Sequence, residues 1–239
     1  MKKEIKGVIF DLDNTLIDIH NTVKNADDAV FEEIKKDFKQ INYQLFREFI
    51  DKTNKEFKTI PYDKRNIQLF YEIFARVSSV ELEQKHIEKY SNIFEEYFLR
   101  RLEFTDEADE TIKKLKKAGL KIGLLTGEGL YPGSKTKTIS NIEFIHHFDI
   151  TVIAKVNIAE SKEEVEAFVK TASMLELKPS EIIFVGDMPE IDIDNAKKAG
   201  MMAVLFDKYN VKKGRKKIFE PDYIIETMKD LYRILDIDI

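Results

Sequence analysis

The apolar and polar positions of this chain follow two different rhythms. From about Asn21 to Leu102, apolar residues recur every three or four positions among charged ones, with almost no glycine or proline. That spacing is typical of amphipathic helices whose apolar faces, rich in aromatic residues, pack into a bundle core. Four helices are predicted there, at residues 22–38, 43–57, 64–77 and 82–101.

Outside that segment, short apolar runs alternate with amphipathic stretches. The runs have the length of buried strands and cover residues 8–11, 121–126, 149–154, 181–187 and 202–206. Helices are predicted between them at residues 105–118, 141–146, 162–175 and 195–199. Buried strands that alternate with helices form a parallel sheet covered on both faces. The pattern therefore predicts an α/β fold with an inserted all-helical, four-helix segment.

The same change of rhythm predicts the domain organisation. Residues 1–16 and 104–239 are expected to form the sheet core, and residues 17–103 the helical domain. A length of 239 residues fits one large domain or a domain with an insertion, and it is long enough to bury a sizeable core.

Composition narrows the class of protein. The chain has no cysteine, which excludes disulfides, thiolate catalysis and thiolate metal sites. Its net charge of −5 argues against nucleic-acid binding. No apolar run is long enough to span a bilayer, and the first is interrupted by Asp11 and Asp13, unlike a signal peptide. We expect a cytoplasmic protein with no nucleic-acid or membrane partner, in which the basic run at 211–217 is a solvated loop or, alternatively, an anion or partner patch.

Polar residues stand where three of the predicted strands end. Asp11 ends the first run and Asp13 comes one leucine later. Thr126 ends the second run, and Asp187 ends the fourth, with Asp192 shortly after. Ligands of open parallel sheets bind at the carboxyl ends of the strands. We therefore expect these side chains to meet in one crevice.

Several carboxylates in one crevice require a cation. Two unit charges about 4 Å apart repel by about 4 kcal/mol even at an effective dielectric near 20. Carboxylate and carbonyl oxygens are the ligands that suit Mg²⁺. The strand ends therefore predict a Mg²⁺ site.

Three short stretches and one lysine also resemble a known family. DLDNT, LLTG and GDMPEID, together with Lys162, are similar to the four motifs of the haloacid dehalogenase-like hydrolase superfamily. The resemblance covers the whole chain and implies a Rossmann-like sheet core. The helical segment resembles the cap that one branch of the superfamily inserts between its first and second motifs.

The resemblance implies roles for the motif residues. Asp11 would be the nucleophile that attacks phosphorus and forms an aspartyl-phosphate. Asp13 would protonate the leaving alcohol and then deprotonate the hydrolytic water. Thr126 would hydrogen-bond a phosphoryl oxygen, and Lys162 would neutralise phosphoryl charge.

The resemblance also implies a set of metal ligands. Mg²⁺ would be bound by the carboxylates of Asp11 and Asp187 and by the main-chain carbonyl of Asp13. Asp192 would support the metal through water or by orienting its neighbours.

Three positions qualify this assignment. Lys155 directly follows the third predicted strand and competes with Lys162 for the role of the phosphate-binding lysine. Gly127 stands where the family usually has Asn, and Glu163 where Pro often follows the lysine. The two departures bear on rate and specificity more than on the class of reaction.

We expect a Mg²⁺-dependent phosphatase that hydrolyses a small phosphorylated metabolite through an aspartyl-phosphate. The alternatives on the same fold are a phosphomutase and a haloacid dehalogenase, of which the dehalogenase needs neither Asp13 nor the metal. A second alternative is a catalytically weak binding or regulatory protein. That alternative would predict broken motifs, whereas all the acidic positions are intact.

Overall fold

A computed structural model describes residues 4–208 and 218–237. The chain divides into two compact units. The first unit combines Met1–Asp18, Phe104–Gly127 and Ile142–Ile239, and the second combines Ile19–Glu103 and Glu128–Asn141. The basic run at 211–217 lies outside the described residues.

A parallel sheet forms the centre of the first unit, as predicted. Its six described strands follow the spatial order β3-β2-β1-β4-β5-β6, and every neighbouring pair is parallel. The strands are β1 Gly7–Phe10, β2 Lys121–Thr126, β3 Ile150–Ile153, β4 Ile182–Gly186, β5 Met202–Phe206 and β6 Tyr223–Ile225. The α/β fold class with a Rossmann-like core is thereby confirmed.

The degree of burial explains which strands could be predicted from apolar runs in the sequence. All residues of β1 and β4 are buried, because both strands lie inside the sheet and are covered on both sides. The edge strand β6 was not predicted, since it has three residues, fewer than a typical strand, and only Ile225 among them is buried. Helices of this unit are α5 Ala108–Lys117, α7 Val165–Met174, α8 Asp194–Ala199 and α9 Asp230–Ile234.

Helices make up the second unit. They are α1 Ile19–Asp37, α2 Tyr43–Phe57, α3 Ile67–Ser78, α4 Gln84–Arg100 and α6 Ser134–Ser140. The first four lie close to the predicted helices, and aromatic residues such as Phe46, Phe74 and Tyr90 form their shared core. None of the described helices is both long and apolar enough to cross a membrane.

The segment 128–141 differs from the sequence-based expectation, which placed it in the sheet core. Tyr131 packs into the core of the helical unit, and its hydroxyl donates a hydrogen bond of 2.5 Å to Glu95 Oε1. Lys137 Nζ pairs with the same carboxylate at 2.9 Å. These contacts with α4 explain why the segment clusters with the helices.

Two predicted helices in the first unit were wrong in extent. A helix was expected near residues 141–146, but only a short 3-10 turn, Ile145–His147, is present there. The predicted helix 162–175 begins at Val165, because the preceding residues close a turn. In that turn the Ser161 N–H donates to Glu164 Oε2 at 2.7 Å, and the Glu164 N–H donates to the Ser161 carbonyl at 2.9 Å.

Candidate active site

The strand ends meet at one edge of the sheet, as the order of the strands requires. β1 lies between β2 and β4, and Phe10 is paired with Leu124 on one side and Val185 on the other. Asp11, the next residue, donates its N–H to the Val185 carbonyl at 2.9 Å. Thr126, the last residue of β2, lies two positions beyond Leu124 in the parallel register and so at the same edge as Asp11, where it is buried.

Three carboxylates are gathered there. Asp11, Asp187 and Asp192 each place a carboxylate oxygen within 4.8 Å of the others. All three residues are buried, with exposed fractions of 5%, 6% and 0%. Oxygen atoms at this spacing form a hard-ligand set, so the residues fit the Mg²⁺ that the sequence predicts.

Lys162 enters this cluster. Its ammonium group forms an ion pair with Asp11 Oδ1 and a second one with Asp192 Oδ1 at 2.7 Å. The Lys162 side chain is only 11% exposed, and its Nζ lies 5.7 Å from the centroid of the Phe184 ring. Lys155 is exposed on the loop after β3. The geometry thus brings Lys162, and not Lys155, to the predicted nucleophile.

The buried cluster does not favour the ionised form of all its carboxylates at once. The pKa of Asp11 is raised to about 7: burial is the largest cause, the positive charge of Lys162 opposes it, and the negative charges of Asp192 and Asp13 add to it. Burial alone would lower the pKa of Lys162, but the carboxylates of Asp11 and Asp192 raise it above its usual value. Lys162 is therefore a fixed cation at neutral pH, and the carboxylates of Asp11 and Asp192 share its positive charge.

Asp192 is held rigidly by the turn that carries it. The residue lies in a short π-helical turn, Pro189–Ile193, and its Oδ2 accepts a hydrogen bond of 3.0 Å from the Met188 N–H. Gly186 is required beside it, because a Cβ there would lie 2.3 Å from Asp192 Oδ2. With Oδ1 paired to Lys162, Asp192 orients both the turn and the lysine.

The loop after β1 positions the remaining residues of the first motif. Its turn is closed by hydrogen bonds from the N–H groups of Leu16 and Ile17 to the Leu12 carbonyl, at 2.9 and 3.0 Å. Thr15 is fully buried, and its hydroxyl donates to Asp11 Oδ2 at 3.4 Å. Asp13 is half-buried, and its charge acts on Asp11. This brace keeps the two aspartates of the motif close to each other.

The two departures from the family pattern have different surroundings. At Gly127, a Cβ would meet no atom of the described residues within 4 Å, so the space of the usual Asn side chain is not filled by a neighbour. Glu163, in place of the frequent Pro, lies in the turn before α7. Its N–H donates a hydrogen bond of 3.3 Å to the Ser161 hydroxyl. Neither residue belongs to the carboxylate cluster.

Sequence-based reasoning missed Asn195. This residue is buried on α8, and its side-chain amide donates to the main-chain carbonyls of Glu163 at 3.1 Å and Lys162 at 3.4 Å. The one available signal was its position three residues after Asp192, at the start of a short helix. Nothing in the sequence indicates which main-chain carbonyls the side-chain amide of Asn195 binds.

Comparison with known proteins shows which family and which characterised sequences this chain resembles. A family model described as haloacid dehalogenase-like hydrolase matches residues 5–200. Over 232 residues, 97% of either chain, the sequence is 24% identical to pyrophosphatase PpaX of Bacillus mycoides (strain KBAB4). It is 29% identical to glyceraldehyde 3-phosphate phosphatase of Methanocaldococcus jannaschii, with coverage of 98% of this chain and 96% of that protein.

Solved structures share the fold at lower identity. The HAD-hydrolase YfnB from Bacillus subtilis, in a structure bound to magnesium, is similar with a TM-score of 0.71, 15% identity, and coverage of 98% of this chain and 100% of that one. A 2-haloacid dehalogenase from Pseudomonas syringae is similar with a TM-score of 0.68, 19% identity, and coverage of 97% and 98%. At these identities the structures show a common fold and do not distinguish among the reactions it hosts.

Proposed function

This chain belongs to the haloacid dehalogenase-like hydrolases, and we propose that it is a Mg²⁺-dependent phosphatase of small phosphorylated metabolites. The observation that carries the proposal is the buried cluster of Asp11, Asp187 and Asp192 with Lys162 bridging two of its carboxylates. Such a site offers a nucleophile, a cation site and a fixed positive charge in one place. Relatives named as phosphatases over nearly the whole chain support this class of substrate.

The proposed reaction has two steps. A carboxylate oxygen of Asp11 attacks phosphorus, the bond from phosphorus to the leaving oxygen breaks, and Asp13 donates a proton to that oxygen. Water then attacks the aspartyl-phosphate while Asp13 takes up a proton from it, which releases inorganic phosphate and restores Asp11. The Thr15 hydroxyl, which donates to Asp11 Oδ2, fixes the rotamer of the nucleophile.

The positive groups of the site make the approach of phosphate possible. Mg²⁺, when bound by Asp11, Asp187 and the main-chain carbonyl of Asp13, would offset the negative charge of carboxylates and phosphate. Asp192 would hold this arrangement through its contacts with Lys162 and the Met188 N–H. Lys162 would bind a phosphoryl oxygen together with the Thr126 hydroxyl, where charge builds up in the transition state.

Asp13 separates this proposal from its main alternative. A haloacid dehalogenase also uses an aspartate nucleophile, but it has no leaving alcohol to protonate and no need of the metal. A phosphomutase would use the same residues and transfer the phosphoryl group to a sugar. Hydrolysis is preferred because the relatives that match across the chain are named as phosphatases.

The helical unit, which is inserted after the first motif, is proposed to act as a cap that selects the substrate. The proposed location of the enzyme is the cytoplasm, where phosphorylated metabolites occur. No nucleic acid or membrane is proposed as a partner, in keeping with the net charge of −5.

Removal of the metal tests the proposal directly. Hydrolysis of p-nitrophenyl phosphate should stop in excess EDTA and return when Mg²⁺ is added beyond the chelator, because the buried carboxylates cannot accept a phosphate dianion without the cation. The measurement is release of p-nitrophenol, with thermal unfolding as a control that the chelated protein is folded. Full activity in metal-free buffer would contradict a metal-dependent mechanism.

Substitution of Asp13 tests the acid and base. Asp13→Asn keeps the main-chain carbonyl and the size of the side chain but removes the proton donor. We expect kcat to fall by about 10²–10⁴-fold, the usual contribution of general acid–base catalysis. The loss of kcat/KM, which reports the step that expels the leaving group, should be larger for an alkyl phosphate than for p-nitrophenyl phosphate, whose leaving group needs no proton. An equal loss with both substrates would argue against Asp13 as the acid.

A further inference from the structure

Asn195 joins two parts of the site that are far apart in the sequence. Its side-chain Nδ2 donates to the carbonyls of Lys162 and Glu163, at 3.4 and 3.1 Å. Because both partners are acceptors, the amide nitrogen must face them. Asn195 itself stands three residues after Asp192, which pairs with the Lys162 ammonium group.

The backbone of Lys162 has little regular structure of its own to hold it. The residue lies three positions before α7, in the turn that follows Ser161, and not in a helix or a strand. Its side chain nevertheless enters a buried cluster and is 11% exposed. The position of the ammonium group therefore depends on how this turn is anchored, and Asn195 supplies an anchor that is itself 3% exposed.

We infer that Asn195 is a positioning residue of the phosphatase site, which acts by fixing the main chain of Lys162 relative to Asp192. The inference rests on the proposed function. One short segment, 192–195, then controls both ends of the lysine: Asp192 pairs with its ammonium group, and Asn195 binds its carbonyl. The lysine is held ready for a phosphoryl oxygen before the substrate arrives, which lowers the cost of ordering it during the reaction.

A loss of this anchor should act through Lys162 alone. Displacement of a catalytic group by about 1 Å can cost on the order of 10²-fold in rate. We expect Asn195→Ala to lower kcat by about tenfold to 10²-fold on p-nitrophenyl phosphate with Mg²⁺ present. Asn195→Leu fills a similar volume but has no hydrogen-bond donor, and it should show the same loss of kcat. This second variant controls for destabilisation by the cavity that alanine would leave.

The matched control is Asp194→Asn on the same helix. Asp194 is as well buried as Asn195, but its carboxylate accepts hydrogen bonds from the N–H groups of Ile218 and Phe219, at 2.8 to 3.0 Å. Its substitution should lower the melting temperature and leave kcat near that of the unchanged protein. An equal loss of kcat in Asp194→Asn would show that disturbance of α8 is sufficient, and it would overturn the inference.

A double-mutant cycle identifies the route of the effect. If Asn195 acts through Lys162, then Asn195→Ala should change kcat by less than about twofold in the background of Lys162→Ala. The same fold-loss in both backgrounds would mean that Asn195 acts independently of the lysine, and the inference would fail. Wild-type kcat in Asn195→Ala would also overturn it.

Hydrogen exchange separates this inference from the proposed function. In protein without substrate, amides around 161–164 should exchange faster in Asn195→Ala than in the parent and in Asp194→Asn. That result would support the anchor even if the parent hydrolysed no phosphate, in which case only the proposed function would fail. If the parent hydrolyses phosphate but these amides exchange equally fast in Asn195→Ala and in the parent, the anchor is overturned and the proposed function stands.

Discussion

Asp11→Asn is expected to abolish phosphate hydrolysis. The substitution keeps the size of the side chain and a neighbour for Lys162, but an amide oxygen cannot form the phosphoryl intermediate. Removal of the nucleophile in a comparable covalent mechanism costs on the order of 10⁶ in kcat, so a loss beyond about 10⁴-fold is expected here. The measurement is turnover of p-nitrophenyl phosphate with Mg²⁺, together with circular dichroism to check folding.

Asp207→Asn provides the control for this substitution. Asp207 directly follows β5 and is 6% exposed, close to the 5% of Asp11, but it is not part of the carboxylate cluster. Its substitution should leave turnover within a few-fold of the parent. Rapid quenching of the parent with substrate should also yield a peptide with one phosphoryl group on Asp11. Retained turnover in Asp11→Asn would show that the nucleophile is wrongly assigned.

Lys162→Ala is the second substitution with a large expected effect. It removes the cation that pairs with Asp11 and Asp192 and that is proposed to bind the phosphoryl group. Loss of one preorganised group of this kind costs about 10²–10³-fold in kcat. Because a buried ion pair loses a partner, the protein should also be destabilised by about 3–5 kcal/mol, to be measured by urea unfolding in EDTA.

Lys155→Ala is the matched comparison, since the sequence alone left both lysines open. Lys155 is exposed on the loop after β3. We expect its substitution to change kcat by less than about twofold and stability by less than about 0.5 kcal/mol. Normal turnover in Lys162→Ala with a crippled Lys155→Ala would reverse the assignment of the phosphate-binding lysine.

Much of the fold could be predicted because burial leaves a direct trace in the sequence. β1 and β4 are covered on both faces and therefore consist of uninterrupted apolar residues. The four long helices carry apolar stripes of helical period, and their bounds were close to prediction. The edge strand β6 and the short helix α6 left no such trace, because few of their residues are buried in a regular pattern.

The candidate site was predictable to the extent that a parallel sheet fixes where its strands end. Asp11 and Asp187 follow neighbouring strands β1 and β4, so their meeting at one edge follows from the strand order. The catalytic roles of these residues stay predictions until the substitutions are made. The placement of segment 128–141 with the helices was not predictable, because it depends on the contacts of Tyr131 and Lys137 with Glu95.

The sequence by itself determined the family, the α/β fold and the acidic residues at the strand ends, because these depend on local residue type and spacing. Only the tertiary structure shows which of Lys155 and Lys162, seven positions apart on the same connection, contacts Asp11. Which of them reaches Asp11 depends on the path of a loop, and that path is set by hydrogen bonds to residues distant in sequence. Asn195 anchors the backbone at Lys162, and Asp192 and Asp11 bind its ammonium group. Burial, which raises the pKa of Asp11 to about 7, likewise arises only when these segments pack together.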